Sequence, residues 1–589
     1  MVRQPPPLRE HTEQPTALGR ANRWVPDGER TVAVVTLVAR VAGLLAVVSV
    51  LLPVGRARAR VQAPLDNWLS LPEQATAVAV TATVVTGVAL VLLAAGLRRR
   101  KRNAWLTSTL VSVVLVISHA VHPRGLFGLL AAVALLAALL ATRSRFTGRP
   151  DPSGRGYAVG TGLLLLLLGF VVNLAVLLLS GRGQLGPPTL WERAQQSGLA
   201  LIGVSGPVRF RVDLLDDVVA GVGLGFGLSA LAAVLYFVLR TQEPPGSLTP
   251  AEESSVRALL DSRSDTDSLG YFALRGDKSA VFSPSGKAAV TYRPIAGVAL
   301  SSGDPVGDPE AWPGAAEVFL ERCATNGWSP AVLGCSEAGA RMWSRHGLGA
   351  LELGDEAVVD TASFTLDGRA MRGVRQAVGK LERAGYSVAV RRVADIPADE
   401  LATLQELARR WRGTETERGF SMALGRLGVD PQCVLATATQ TTPDGPVVRG
   451  LLHFVPWGTD GLSLDAMLRD RESDNGVNEL LIAGVMKAGV ATGLQRVSLN
   501  FAVFRAALER GERIGAGPVA KAWAWVLRTG SRWWQIESLY RFNAKFEPRW
   551  VPRYLMYSSA RELPRVALAA AEAEGFGGRP PALLRLLRR

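Results

Sequence analysis

The sequence predicts two unlike parts in one chain, an α-helical transmembrane bundle followed by an α/β domain. Three observations point there. The chain has 589 residues, enough for several domains, with 48% hydrophobic residues and a mean hydropathy of +0.18, high for a wholly soluble protein. Six apolar runs, near residues 31–53, 75–97, 104–122, 125–142, 159–180 and 216–239, crowd its first part, most of them about 20 residues long, the length that crosses a bilayer as a helix. After Thr241 the composition changes abruptly, and short apolar stretches begin to alternate with amphipathic ones.

Residues 1–30 are polar and rich in Pro and Arg, and are expected to form a disordered cytosolic leader. The bundle is expected over 31–240, with about six helices, and Glu243-Pro244-Pro245-Gly246-Ser247 marks a linker within 241–250. The arginine-rich loops at 98–102 and 143–155 place themselves and both termini in the cytosol. Arg56, Arg58 and Arg60 run against that assignment. The glycines of 221–227 resemble a phosphate loop, but inside an apolar run they are better explained as small residues for helix packing. A net charge of +15 and a pI near 10.3 favour anionic partners, either phospholipid head groups or nucleic acid. Cys323, Cys335 and Cys433 have no zinc-ligand spacing and are expected to be reduced.

The second part reads as α/β. Ser279–Phe282 and Ala288–Tyr292 suggest a hairpin, Val298–Ser301 a further strand, and 311–326 and 336–346 helices around a strand at Ala331–Leu333. A second unit begins near Ala362, so two similar lobes are expected, 251–361 and 362–560, before a basic tail over 561–589. In the helix expected over Leu366–Ala384, Met371, Val374, Val378 and Leu381 share one side, while Arg369, Arg372, Lys380 and Arg383 fall mostly on another. Between Tyr540 and Tyr557 aromatics alternate with Arg541, Lys545, Arg549 and Arg553. That mixture suits a phosphate-rich ligand, the alternative being an edge strand whose rings pack a core.

Gly450–Phe504 is the richest stretch. Gly450–Pro456 and Leu462–Met467 read as the arms of a hairpin, with His453, Ser463 and Asp465 as polar insertions. Asp474 or Asn475 is expected to cap a helix whose first turn carries Asn478 and Glu479. In the strand that follows, Val497 and Leu499 face one way while Ser498 and Asn500 face the other. These polar side chains are expected to converge on one cleft.

The segments LSLDAMLRD, NGVNELLI, RVSLNFA and RFNAKFEPRWVPRYLMY, with SSGDPVG, FTLDGRAMRGVRQAVGKLERAGYSV and ERGFSMALGR, resemble the C-terminal domain of the lysylphosphatidylglycerol synthetase, or multiple peptide resistance factor, family. The resemblance covers roughly residues 250 to 560. It implies a tandem pair of acetyltransferase-like (GNAT-type) folds that moves an aminoacyl group, lysyl or alanyl, from charged tRNA to phosphatidylglycerol on the cytosolic leaflet. The transfer uses aminoacyl-tRNA as co-substrate and no coenzyme or metal. It lowers the negative surface charge and gives resistance to cationic peptides.

Transesterification needs cations for phosphate, a base or positioning group for the hydroxyl, and donors for the ester oxygen. Asp465, Glu479, Arg469 and Lys545 are the catalytic candidates. His453, Asn478, Ser498, Asn500, Asn543, Arg549 and Arg553 are the substrate-binding candidates. A lone histidine on a strand is more often a structural residue than a base. Charged tRNA is expected from a separate synthetase, and a homo-oligomer is left open. Transfer to another acceptor, such as a peptidoglycan precursor, and a non-catalytic lipid- or RNA-binding role are the rival readings.

Overall fold

The computed structural model describes residues 29–51, 73–98, 101–121, 126–143, 146, 154–211, 213–239, 244–263, 267–413, 419–503 and 536–575. Nearly all of the expected leader, Arg56, Arg58 and Arg60, and the end of the basic tail lie outside them.

The apolar runs lie in helices α1 (Glu29–Leu51), α2 (Glu73–Arg98), α3 (Arg102–Val121), α4 (Leu126–Ala141), α5 (Gly154–Leu179) and α7 (Asp213–Leu239). A further helix, α6 (Leu190–Ala200), starts at a capping box of Thr189 and Glu192 that the sequence reading passed over. Val35, Ala39, Leu90, Leu97, Trp105 and Leu135 form the core of α1–α4. Two of the four glycines of 221–227 seat α7 on the end of α6: a Cβ at Gly223 would stand 2.6 Å from Ala200 and one at Gly227 2.0 Å from the Leu201 carbonyl oxygen, while Gly221 and Gly225 face open space. Side chains such as Leu163, Leu164 and Leu167 of α5 are exposed.

Among the described residues two helical stretches, Ala158–Leu179 and Leu215–Leu235, are long and apolar enough to cross a membrane. Thr31–Ala46, Val85–Arg98, Arg102–Ile117 and Leu129–Ala141 are apolar but shorter. All six apolar runs expected to form the bundle are thus helical, and two of them carry such stretches among the described residues. A helix such as α4, with 16 residues, covers only about 24 Å of a hydrocarbon core near 30 Å.

The second part is built on one twelve-stranded sheet. Its strands are β1 (Ser279–Phe282), β2 (Ala288–Ile295), β3 (Val298–Ser302), β4 (Val306–Gly307), β5 (Ser329–Cys335), β6 (Gly349–Asp360), β7 (Tyr386–Arg392), β8 (Val434–Thr442), β9 (Gly445–Trp457), β10 (Gly461–Arg469), β11 (Arg496–Val503) and β12 (Arg549–Tyr557). The order is β1-β2-β3-β5-β12-β6-β11-β10-β9-β8-β7, with β4 beside β2. Among the described strands each half has one parallel pair, β3/β5 and β10/β11. The halves interlock, because the last strand, β12, inserts between β5 and β6 of the first.

Helices cover both faces. In β9, Leu452 and Phe454 point into a core beneath α11 (Arg372–Arg383) and α13 (Val477–Thr492), while Leu451 and Val455 point into a core shared by both halves. That shared core also holds Phe272, Leu300, Phe420 and Leu435. A third core, around Phe319 and Trp343, packs α9 (Trp312–Asn326) and α10 (Glu337–Arg345) on the first half.

Three local readings are corrected. α11 starts at Arg372 rather than Leu366, although Met371, Val374, Val378 and Leu381 are buried and Arg369, Arg372, Lys380 and Arg383 exposed as the periodicity predicts. Neither Asp474 nor Asn475 caps α13. Gly476, at φ 106°, takes that place, and the Asp474 carboxylate accepts from the Tyr386 hydroxyl. The stretch Tyr540–Tyr557 is neither a continuous ligand surface nor an edge strand: α14 (Ile536–Ala544) leads into β12 in the middle of the sheet. Pro552 is tolerated there because pairing with β5 begins only at Tyr554, leaving β12 one-sided at the proline.

Arg553 is the consequential correction. Its side chain is 3% exposed and bridges the halves, with Nε and Nη2 donating to Glu356 Oε2 at 2.9 and 2.5 Å and Nη1 to Asp267 Oδ1 at 2.6 Å. Nη2 also reaches Ser268 Oγ at 2.5 Å. A guanidinium spent this way does not offer itself to a phosphate. Arg553→Ala leaves two buried carboxylates without their cation and is expected to destabilise the protein by about 3–5 kcal/mol. Arg341→Ala, which breaks only the surface pair with Glu337, should cost less than about 1 kcal/mol. Denaturant unfolding of the purified chain separates the two.

Candidate functional site

β10 and β11 run parallel for three residues, Gly461–Ser463 against Arg496–Ser498, and then part. Two local features open them. A bulge between Leu464 and Ala466 shifts the β9–β10 register at Asp465, and Asn500, with φ 69°, interrupts the β11–β6 register between Ser498 and Phe501. The side chain of Asn500 bridges the gap, its Nδ2 donating to Leu464 O at 2.5 Å, where a backbone ladder would otherwise continue.

The bulge brings Asp465 to His453. Across the hairpin His453 sits opposite Ala466, and Asp465 Oδ2 lies 2.5 Å from His453 Nδ1. Asp465 Oδ1 accepts from the Leu424 N–H at 2.6 Å. His453 is fully buried, and its Nε2 has no hydrogen-bond partner. Asn500 Oδ1 and Asn478 Oδ1 are likewise buried without a partner. Unpaired buried polar atoms are uncommon and costly, so His453 Nε2 and Asn500 Oδ1, both held beside the Leu464–Ala466 bulge, mark a candidate place for a partner.

Next to this pair lies the network of Arg553. Ser498 Oγ donates to Glu356 Oε1 at 2.5 Å and accepts from the Asn500 N–H at 3.2 Å, tying the opened strand to the ion pair. Ser463 Oγ donates to Ser268 O at 2.7 Å. On the other side Asp267 Oδ2 accepts from the Asp304 N–H, and Asp304 accepts from both the N–H and the hydroxyl of Ser336. Burial, and then the neighbouring Asp267 carboxylate, push the Asp304 carboxyl up to about 7.

Other candidates form a second cluster on the α13 side. Glu479, in the first turn of α13, pairs with Lys545 at 2.7 Å, and Lys545 Nζ lies 5.3 Å from the Phe542 ring centroid. The Lys545 side chain is half exposed and Glu479 largely buried. Asn543 Nδ2 donates to Leu499 O at 3.2 Å, which fixes α14 to β11. Arg549 and Arg469 are exposed at strand ends, Arg469 reaching Ser473 Oγ at 3.4 Å. The candidates thus fall into two hydrogen-bonded sets. Asp465 is held by His453 and the Leu424 N–H, whereas Glu479 is held by Lys545. Glu356, Asp267, Ser268 and Leu424 N–H were missed by sequence reasoning. Glu356 carried no distinct signal, since it stands beside Asp355 in a stretch of mixed polarity.

The class defined by this arrangement is a two-lobed α/β fold whose polar site lies where a parallel strand pair opens. Residues 257–557 match the family described as phosphatidylglycerol lysyltransferase, C-terminal, and the chain belongs to that family. Among curated relatives, the lysylphosphatidylglycerol biosynthesis bifunctional protein LysX of Rhodococcus opacus is 44% identical over 497 residues, covering 82% of this chain and 44% of the relative. The protein of the same name from Mycolicibacterium gilvum is 42% identical over 499 residues, covering 83% and 45%. The chain thus spans less than half the length of these two relatives. Among solved structures, the C-terminal domain DUF2156 from Agrobacterium fabrum shows 22% identity over 56% of this chain and all of that one, with a TM-score of 0.48. L-PGS from Bacillus licheniformis shows 18% identity over 57% of this chain and all of that one, with a TM-score of 0.46.

The Asp304 carboxyl gives the site a pH signature. Its folded pKa lies above the unfolded value, so the stability it contributes is present below about 4 and is lost as pH rises toward 7. Wild type is therefore expected to lose stability relative to Asp304→Asn between about pH 4 and 7, as read by unfolding midpoints of both proteins across that range. A constant difference would show that Asp304 does not titrate there.

Proposed function

We propose that this chain is a membrane-bound aminoacyltransferase that moves an aminoacyl group, lysyl foremost, from charged tRNA to a glycerol hydroxyl of phosphatidylglycerol. The product carries less negative charge, which at a cell surface weakens binding of cationic peptides. Three things support the reading: membership of the family, curated relatives named for lysylphosphatidylglycerol biosynthesis, and the unpaired His453 Nε2 beside the strand opening. The histidine is the single observation that carries the chemistry.

Asp465 accepts from Nδ1–H of His453 and so fixes the tautomer in which Nε2 is the free base. In the transfer, Nε2 takes the proton of the attacking lipid hydroxyl as its oxygen bonds to the ester carbonyl carbon. The bond from that carbon to the tRNA ribose oxygen breaks, and the proton passes to the departing ribose oxygen. Unpaired Asn500 Oδ1 can accept from a substrate hydroxyl or ammonium, while its Nδ2 is held by Leu464 O. Glu479 and Lys545 are suited to opposite ends of a zwitterionic or phosphate-bearing substrate, the carboxylate meeting an ammonium and the lysine a phosphate. Exposed Arg541 and Arg549 add cations on the same part of the chain. The apolar helices anchor the chain as a multi-pass protein with the α/β part, lobes 251–361 and 362–560, on the cytosolic side, where charged tRNA is made.

Lipids extracted from cells expressing the full chain should contain an aminoacylated phosphatidylglycerol whose mass names the amino acid. His453→Gln should lower its rate of formation by about 100-fold or more while the protein remains folded, as expected for loss of a general base. Lys545→Ala should lower it too, mainly through a raised KM. A wild-type lipid profile with no such product, and the amino acid appearing instead on a cell-wall precursor, would replace the lipid acceptor by the other one.

A further inference from the structure

One segment near the site has no regular structure to hold it. Residues 419–424 lie between α12 (Ala398–Arg412) and β8 outside any helix or strand, yet their Leu424 N–H is the donor that fixes Asp465 Oδ1. Backbone outside a ladder needs partners from elsewhere in the fold or from water. Here they come from far along the chain. Glu574, just after helix α15 (Leu563–Ala573), receives the Phe420 N–H on Oε2 at 2.8 Å, and the Ser421 N–H and hydroxyl on Oε1 at 3.1 and 2.6 Å. Its own carbonyl accepts from the Gly419 N–H at 3.3 Å. From the first half, Arg275 Nη1 donates to Gly419 O at 2.6 Å and Ala423 O at 2.8 Å. The buried Lys278, held by Phe272 O and Ser302 Oγ, lies 4.6 Å from the centroid of the Phe420 ring.

Resting on the reading of His453 as base, we propose that Glu574 is a positioning residue for the reaction. By clamping residues 419–421 it delivers the Leu424 N–H to Asp465, and Asp465 so held orients His453. The clamp has parts from both halves and from the C-terminal helix, so the histidine is correctly set only when all three are docked. Glu574 is 109 residues from Asp465 in sequence and touches neither member of the pair.

The test uses the full chain in lipid nanodiscs with phosphatidylglycerol and charged tRNA. Glu574→Ala is expected to lower kcat about tenfold or more with KM for both substrates within about twofold. Glu574→Gln, which keeps one acceptor for the strap, should recover part of the loss, and Glu572→Ala, on the neighbouring exposed position, should behave as wild type. In an Asp465→Asn background the Glu574→Ala change should add little, because both act through one histidine. A second readout does not depend on turnover. With imidazole-labelled histidine, of which the chain has only five, the hydrogen-bonded Nδ1 proton of His453 should be present in wild type and lost in Glu574→Ala. Retention of that proton in folded Glu574→Ala overturns the proposal. So does an activity loss that multiplies fully with Asp465→Asn. A wild-type chain that shows the proton but makes no aminoacylated lipid would instead sink the reading of the reaction and leave the clamp standing.

Discussion

A single buried guanidinium sets the terms for the α/β part of this protein. Arg553 lies on the last strand of the sheet, inside the other half, between a carboxylate from β6 and one from the segment that follows α8 (Pro250–Asp261). Removing such a cation from water costs several kcal/mol, and only close, saturated hydrogen bonding offsets that. The structure supplies it from Glu356, Asp267, Ser268 and Gly334 O, so the ion pairs are met only when β12 has threaded between β5 and β6. The buried charge is satisfied in the interlocked topology.

The same network borders the site. Glu356 holds Arg553 with one oxygen and Ser498 with the other, and Ser498 supports the left-handed Asn500 at which β11 leaves its neighbour. The opening between β10 and β11 is thereby tied to the junction of the halves. On its other edge the Asp465 bulge turns a carboxylate toward His453, and a strap clamped by Glu574 and Arg275 holds that carboxylate. Strand opening, histidine orientation and docking of the halves are parts of one mechanical arrangement.

Much of this was legible in the sequence, and the boundary of legibility has a physical basis. Local periodicity placed the apolar helices, the 450–469 hairpin, α13 and the alternation in β11, because one buried face writes itself into one segment. Asp465, Ser498 and Asn500 were picked out as polar residues in apolar strands. What could not be read was partnership. Arg553 and Lys545 look alike in a run of aromatics and cations, yet one is buried against Glu356 and the other half exposed beside Glu479, since β12 lies between strands more than 190 residues earlier. His453 looked like an isolated histidine because its partner depends on a bulge, and bulges leave no compositional mark. Apolar runs of intermediate length do not declare whether they cross, and among the described residues two of the six carry stretches long and apolar enough to do so.

The most direct test of this account is hydrogen exchange of the full chain, comparing wild type with Arg553→Met, an apolar replacement of similar reach. If Arg553 joins the halves into one cooperative unit, amides of β5, β6 and β12 and those of β10 and β11 should lose protection together and to a similar extent. Loss confined to β12 and its immediate neighbours, with β10, β11 and the His453 hairpin unchanged, would contradict the claim that the junction and the site are one structure.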